Sequence, residues 1–179
     1  MSVEFLSDQQ AAGYGRFAGP PARAQFERCF VLGGLNRTSV EQRRSDHNRL
    51  GFAVQLGSVP FLGTFLTEPH AVPSAVVEYV ATQLGIGDPA CFGAYADRAK
   101  TPYEHVWESR RAYGYRDFAE AEAEPRDFLA ARAATSTEGP RTLVDRVTAW
   151  LIRRRVLLPG VTILPRLIVS ARAAASERL

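Results

Sequence analysis

Residues 74–94 read SAVVEYVATQLGIGDPACFGA, and this stretch sets the fold class. A helix is expected to start after the Pro73-Ser74 turn and to run to Leu84. Gly85-Ile86-Gly87 then turns the chain. Asp88-Pro89 supplies an acidic N-cap and a proline at the first helical position, so a second helix is expected there. Two helices joined by a short glycine-containing turn form a helix-turn-helix pattern. With Val77 as the first position, Ala81 is the small residue where the helices cross and Gly85 is the turn glycine. Val80, Leu84, Ile86, Cys91 and Ala94 then fill the five inward positions. Helical hairpins that bind no DNA also reach this pattern, so taken alone it leaves a DNA reader and a plain hairpin equally open.

Outward from this stretch, helical spacing recurs and sustained alternation does not, which predicts an all-α, multi-helix bundle. Ser7 is placed to cap a helix running towards Phe17. A helix comes after the Gly19-Pro20-Pro21 turn and reaches about Leu32. A longer one is expected from Thr38 or Ser39 to Leu56, polar at first (Glu41 to Arg49) and apolar afterwards, with Gly57 and Pro60 ending it. Further helices are expected over 102–113, over 118–134 with Pro125 breaking or kinking it, over 141–156, and from Thr162 onwards. Pro165 fits the last helix only in its first turn. Ile152, Val156, Leu158 and Ile163 give that C-terminal pair a partial helix-turn-helix match, in which Arg166 takes the final inward position. The loop at 135–140 is the expected boundary between a helical DNA-binding domain, 1–134, and a second helix-turn-helix-like subdomain, 139–179.

Hydrophobic residues make up 46% of the 179 and charged residues 23%, the balance of an ordinary globular chain. No run of about 18 apolar residues is present, so no membrane-spanning helix is expected. The N-terminus MSVEFLSDQQ lacks the basic and apolar regions of a signal peptide, and a cytoplasmic location is expected. Cys29 and Cys91 read as small buried hydrophobes rather than a disulfide. The net charge of +3 is unevenly spread: residues 117–138 hold two basic and six acidic side chains, and residues 139–179 hold eight and two.

Signals of catalytic chemistry are few. His47, His70 and His105 are far apart, no Cys-x-x-Cys occurs, and no glycine-rich phosphate loop comes after a strand. No metal, cofactor or catalytic residue is expected. What remains is cationic surface. Arg43, Arg44, His47, Asn48 and Arg49 crowd one turn and a half of expected helix, where arginine can grip guanine or phosphate and asparagine can read adenine. A solvated polar face is the plain alternative. Arg98 and Lys100 flank the second helix of the central pair. Arg153, Arg154, Arg155 and Arg166, with Arg141, Arg146 and Arg172, make a basic end suited to tracking phosphates.

Several stretches taken together resemble one family. VEFLSDQQAAGYGRFAGPP, RRSDHNRLGFAVQLGSVPFLGTF, YGYRDF and WLIRRRVLLPGVTILPRL resemble, in order and spacing, the N-terminal domain of Tn-three-type replicative transposases. The resemblance implies binding of double-stranded DNA at transposon terminal inverted repeats. It also implies a non-catalytic segment, because that family's carboxylate triad and magnesium ions belong to a later region. Self-association through the rest of a transposase and absence of membrane contact are expected with it. Pro60, Pro125 and Pro165 depart from the family pattern. The alternatives are a helical protein-interaction or dimerisation module and a non-functional transposase remnant.

Overall fold

A computed structural model describes residues 6–98 and 100–177. Among them are eleven α-helices and no strand, as the helical spacing predicts; an isolated parallel bridge pairs Arg116 with Val156. The chain divides into two compact units, Arg16–Gly114 and the combination of Met1–Gly15 with Tyr115–Leu179.

Arg16–Gly114 is organised by its longest helix. It holds α2 (Arg23–Cys29), α3 (Gly34–Glu41), α4 (Asp46–Leu62), α5 (Ser74–Leu84), α6 (Phe92–Ala96) and α7 (Lys100–Tyr113), after α1 (Asp8–Gly13) in the other unit. Every residue of α4 from Leu50 to Val59 is buried. A helix apolar on all sides has to be surrounded, and α2, α3, α5, α6 and α7 all pack on α4. Two glycines make the closest approaches possible. A Cβ on Gly51 would sit 2.2 Å from the Tyr95 ring, and one on Gly57 would sit 2.4 Å from the Phe30 ring.

The expected helix from Thr38 or Ser39 to Leu56 is in fact two. α3 ends at Glu41, residues 42–45 form a turn, and α4 starts after an extended Ser45 (φ −133°, ψ 154°). Gly57 and Pro60 do not stop α4, because burial of the surrounding apolar residues outweighs their poor helix propensity. The helix runs on to Gly63, whose φ of 78° gives the left-handed cap that ends it.

The other unit is held by Phe118, Leu129, Leu143, Val147, Leu151, Leu164 and Ile168, all buried together. It contains α1, α8 (Phe118–Ala121), α9 (Ala123–Thr135), α10 (Pro140–Arg153) and α11 (Ile163–Ser176). Ser7 caps α1 with a full capping box through Gln10, and the helix stops at Gly13, short of Phe17, ahead of a left-handed Gly15 (φ 68°). Gln10 Nε2 donates to Asp145 Oδ1 (2.9 Å) and Tyr14 Oη to the Pro159 carbonyl (2.8 Å). Pro125 and Pro165 each fall in the first turn of their helices, where a missing N–H costs no ladder bond. The units therefore part at Gly15 and Gly114 rather than at the 135–140 loop, because α9 packs on both α10 and α11 and carries that loop within one core.

Candidate nucleic-acid interface

Of the five candidate residues between 43 and 49, Arg43 is committed internally. Its guanidinium forks onto Glu108 of α7 (Nη1 to Oε2 2.8 Å, Nη2 to Oε1 2.5 Å) and lies 4.0 Å over the Phe52 ring. Only 17% of the side chain is exposed. The hydrogen bond from Arg43 holds the Glu108 carboxyl below its ordinary range, against a smaller upward push from burial. Arg49 pairs with Asp46 one turn earlier in α4, and His47 Nε2 lies 3.3 Å from Ser45 Oγ. The Asn48 side-chain oxygen is buried without a hydrogen-bond partner. Arg44, in the turn before α4, is exposed and has no ion pair or hydrogen bond among the described residues. The cluster that looks continuous in sequence thus offers one free guanidinium.

Beneath it lies a buried polar group. His105 Nδ1 is 3.2 Å from Tyr95 Oη, and its ring meets Phe52 edge-on. Burial, helped by the Arg43 charge, lowers the His105 pKa to about 4, so the imidazole is neutral near pH 7.

The central helix pair differs from the helix-turn-helix register. Asp88 caps the second element as expected, its carboxylate accepting from the Ala90 N–H, but Pro89–Cys91 is a 3-10 turn and α6 is only five residues long. A 3-10 turn advances more degrees per residue than an α-helix, so it rotates the residues after it about the helix axis. Ala94 is exposed, and Phe92 and Tyr95 fill the core instead. The uncovered residues of this element include Ala90, Ala94 and no cation. Arg98 and Lys100 stand exposed just beyond it; Lys100 pairs with Glu104 at 3.6 Å.

The C-terminal pair presents more. α11 has fourteen residues and buries Leu164, Leu167 and Ile168. Its other face, with Ile163, Arg166, Val169 and Ser170, is exposed. Ile163 is therefore outward rather than inward, again one step from the expected register. Arg166 and Arg153 are exposed and carry no intramolecular partner among the described residues. α10 ends at Arg153, so the three arginines do not continue one helix. Arg154 lies 4.5 Å over Trp150 and 3.9 Å from Glu124, and Arg155 turns the chain with φ 55°. The Arg155 carbonyl accepts from the Arg116 N–H (2.9 Å).

Sequence reading missed Arg132, which joins Arg146 on Glu138 (3.2 and 2.5 Å) while Arg172 bonds the Glu138 carbonyl. Burial raises the Glu138 pKa, but Arg146 and Arg132 outweigh it and hold the carboxyl low. Its visible signal is the i,i+4 spacing of Phe128 with Arg132 and of Trp150 with Arg154. Among the described residues no group of three or more His, Cys, Asp or Glu is placed to hold a metal, and no helix is long and apolar enough to cross a membrane. Cys29 and Cys91 are free and half-buried.

Residues 5–171 match the family described as "Domain of unknown function (DUF4158)". The chain belongs to the DUF4158 family. This DUF4158 chain is 41% identical over its whole length to a transposase for transposon gamma-delta from Escherichia coli K12, covering 18% of that protein. It is 30% identical to the transposase of Tn1546 from Enterococcus faecium, with 78% of the chain matching 14% of the relative. It is 29% identical to that of Tn501 from Pseudomonas aeruginosa, with 89% of the chain matching 16%. The DUF4158 chain thus spans less than a fifth of these relatives and corresponds to their N-terminal part, the Tn-three-type region that its motifs resemble.

Proposed function

We propose that the chain binds the duplex DNA of transposon terminal inverted repeats, as a non-catalytic N-terminal part of a transposase. The observation that carries this reading is α11, a fourteen-residue helix with an uncovered outer face and an unpaired Arg166 in its first two turns. The start of a presented helix is where helix-turn-helix proteins touch base edges. Arg153, Arg154 and Arg155, at the preceding helix end, supply cations for phosphate. In Arg16–Gly114, Arg44, Arg98 and Lys100 are the exposed members of the expected set and serve as phosphate contacts. Arg43 and Arg49 serve the fold first. Base reading falls to the α10–α11 pair, whose Arg153, Arg154 and Arg155 also hold phosphate, and Arg44, Arg98 and Lys100 add backbone contacts from Arg16–Gly114.

A gel-shift titration with the cognate inverted repeat and a scrambled duplex at moderate salt tests this. The reading requires tighter binding to the repeat, and equal affinity for both overturns it. One observation favours a protein-interaction face: α7 exposes Tyr103 (62%) and Trp107 (49%) while burying His105 and Ser109. That reading requires a stable oligomer by light scattering that Trp107→Ala disperses.

A further inference from the structure

Phe128 on α9 and Trp150 on α10 stack, their ring centroids 5.1 Å apart and their planes 28° from parallel. A guanidinium covers each of the two rings: Arg132 lies 5.6 Å over Phe128, and Arg154 lies 4.5 Å over Trp150. Each cation lies one helical turn beyond its own ring, so the helices hold both pairs in place. A guanidinium already held over a ring loses less freedom when it takes an anion than one that is unrestrained.

Beside this stack is a surface recess of about 260 Å³, lined among others by Arg132, Thr142, Asp145, Arg146 and Arg153. Three arginines and a threonine line it together with one carboxylate. That carboxylate, Asp145, already accepts from Gln10. Glu138 clasps Arg146 through Nε and Arg132 through Nη1, so an oxyanion already sits between two of the three arginines. Each guanidinium has five N–H donors, and neither arginine exhausts them on Glu138. Arg153 has no partner among the described residues. Aligned guanidiniums with spare N–H groups match a tetrahedral oxyanion.

We propose that this recess is a phosphate site, taking one phosphodiester of the DNA backbone between Arg146 and Arg153, with Arg132 and Thr142 as further donors. Glu138 is then a positioning residue, holding Arg146 and Arg132 towards the recess. The inference rests on the DNA-binding reading and adds to it where the backbone is gripped.

The test is the salt dependence of binding by the full chain, measured by fluorescence polarisation with inverted-repeat and scrambled duplexes. Arg153→Gln and Arg146→Gln should each reduce the slope of log K against log salt by roughly one, equally on both duplexes, since one phosphate contact contributes about 0.9. Arg153→Lys should restore most of it. Arg111→Gln, which removes an exposed cation from α7, is the control for mere charge loss. Arg153 holds nothing in the fold, so its variant reports on the recess even if Arg146→Gln disturbs Glu138. Unchanged slopes in Arg153→Gln and Arg146→Gln, with the repeat still preferred, overturn the recess and leave the DNA reading standing. Slopes that fall while both duplexes bind equally keep the recess and overturn the sequence-specific reading. Equal losses in Arg153→Gln and Arg111→Gln also overturn the recess, and no duplex binding at all overturns both.

Discussion

Arg43 shows how a residue type that fits DNA recognition can be spent on the fold. Its fork to Glu108 and its seat on Phe52 tie the start of α4 to α7, and the side chain is largely covered. Arg43→Gln is therefore expected to lower stability by roughly 1–2 kcal/mol in urea unfolding while leaving the salt slope of DNA binding unchanged. A slope that drops instead would return Arg43 to the interface. Gly51→Ala forces a methyl into the Tyr95 ring and should cost about 2–3 kcal/mol in the same assay. His105 makes stability depend on pH. Its folded pKa of about 4 lies below the ordinary histidine value of 6.5, so as pH falls from 6.5 towards 4 the unfolded chain takes up a proton that the folded chain refuses. Stability is complete above that window and is lost going down through it, by up to about 3 kcal/mol. His105→Gln should flatten the dependence, as read by urea midpoints at pH 4.5 and pH 7.

At the scale of elements, the sequence exposed most helices but not their rotation. Ser7, Asp88 and Pro165 stand where capping chemistry and the proline ring demand, and the structure uses each as expected. The break at residues 42–45 was hidden because Glu41 to Arg49 keep helical polarity across it. The turn at residues 42–45, which ends in the extended backbone of Ser45, separates the two helices. The outward turn of Ala94 was hidden because no residue type marks a 3-10 start from an α start. Arg132 carried only its i,i+4 spacing from Phe128 as a signal, and its pairing with Glu138, six residues ahead, depends on the chain folding back. These rotations predict different sensitivities for the two helix pairs. Ala94→Glu, on the outer face of α6, should change DNA affinity by less than about twofold. Ser170→Glu, on the outer face of α11, should lower it by at least about tenfold, since a new carboxylate there meets phosphate at close range. Comparable losses at both positions would contradict the assignment of base reading to α11.

At the scale of the whole molecule, the all-α architecture was legible from periodicity, and the family from the order of its motifs. The division of the chain was not. Composition pointed to the loop at 135–140, yet the core that unites α9, α10 and α11 also recruits the N-terminal helix through Gln10 and Tyr14, contacts a hundred or more residues apart that no local pattern announces. The basic excess of residues 139–179 falls within that one unit, where Glu138 absorbs part of it and leaves Arg153 and Arg166 unpaired. On the proposed reading, DNA contact therefore rests on specific free guanidiniums rather than on net charge. Side-chain NMR of the arginine Nε–Hε groups, monitored as the inverted-repeat duplex is added, tests this most directly. Large shifts at Arg153 and Arg166 with Arg43 unmoved are the predicted result. Shifts at Arg43 and Arg49 with Arg153 and Arg166 silent would contradict it.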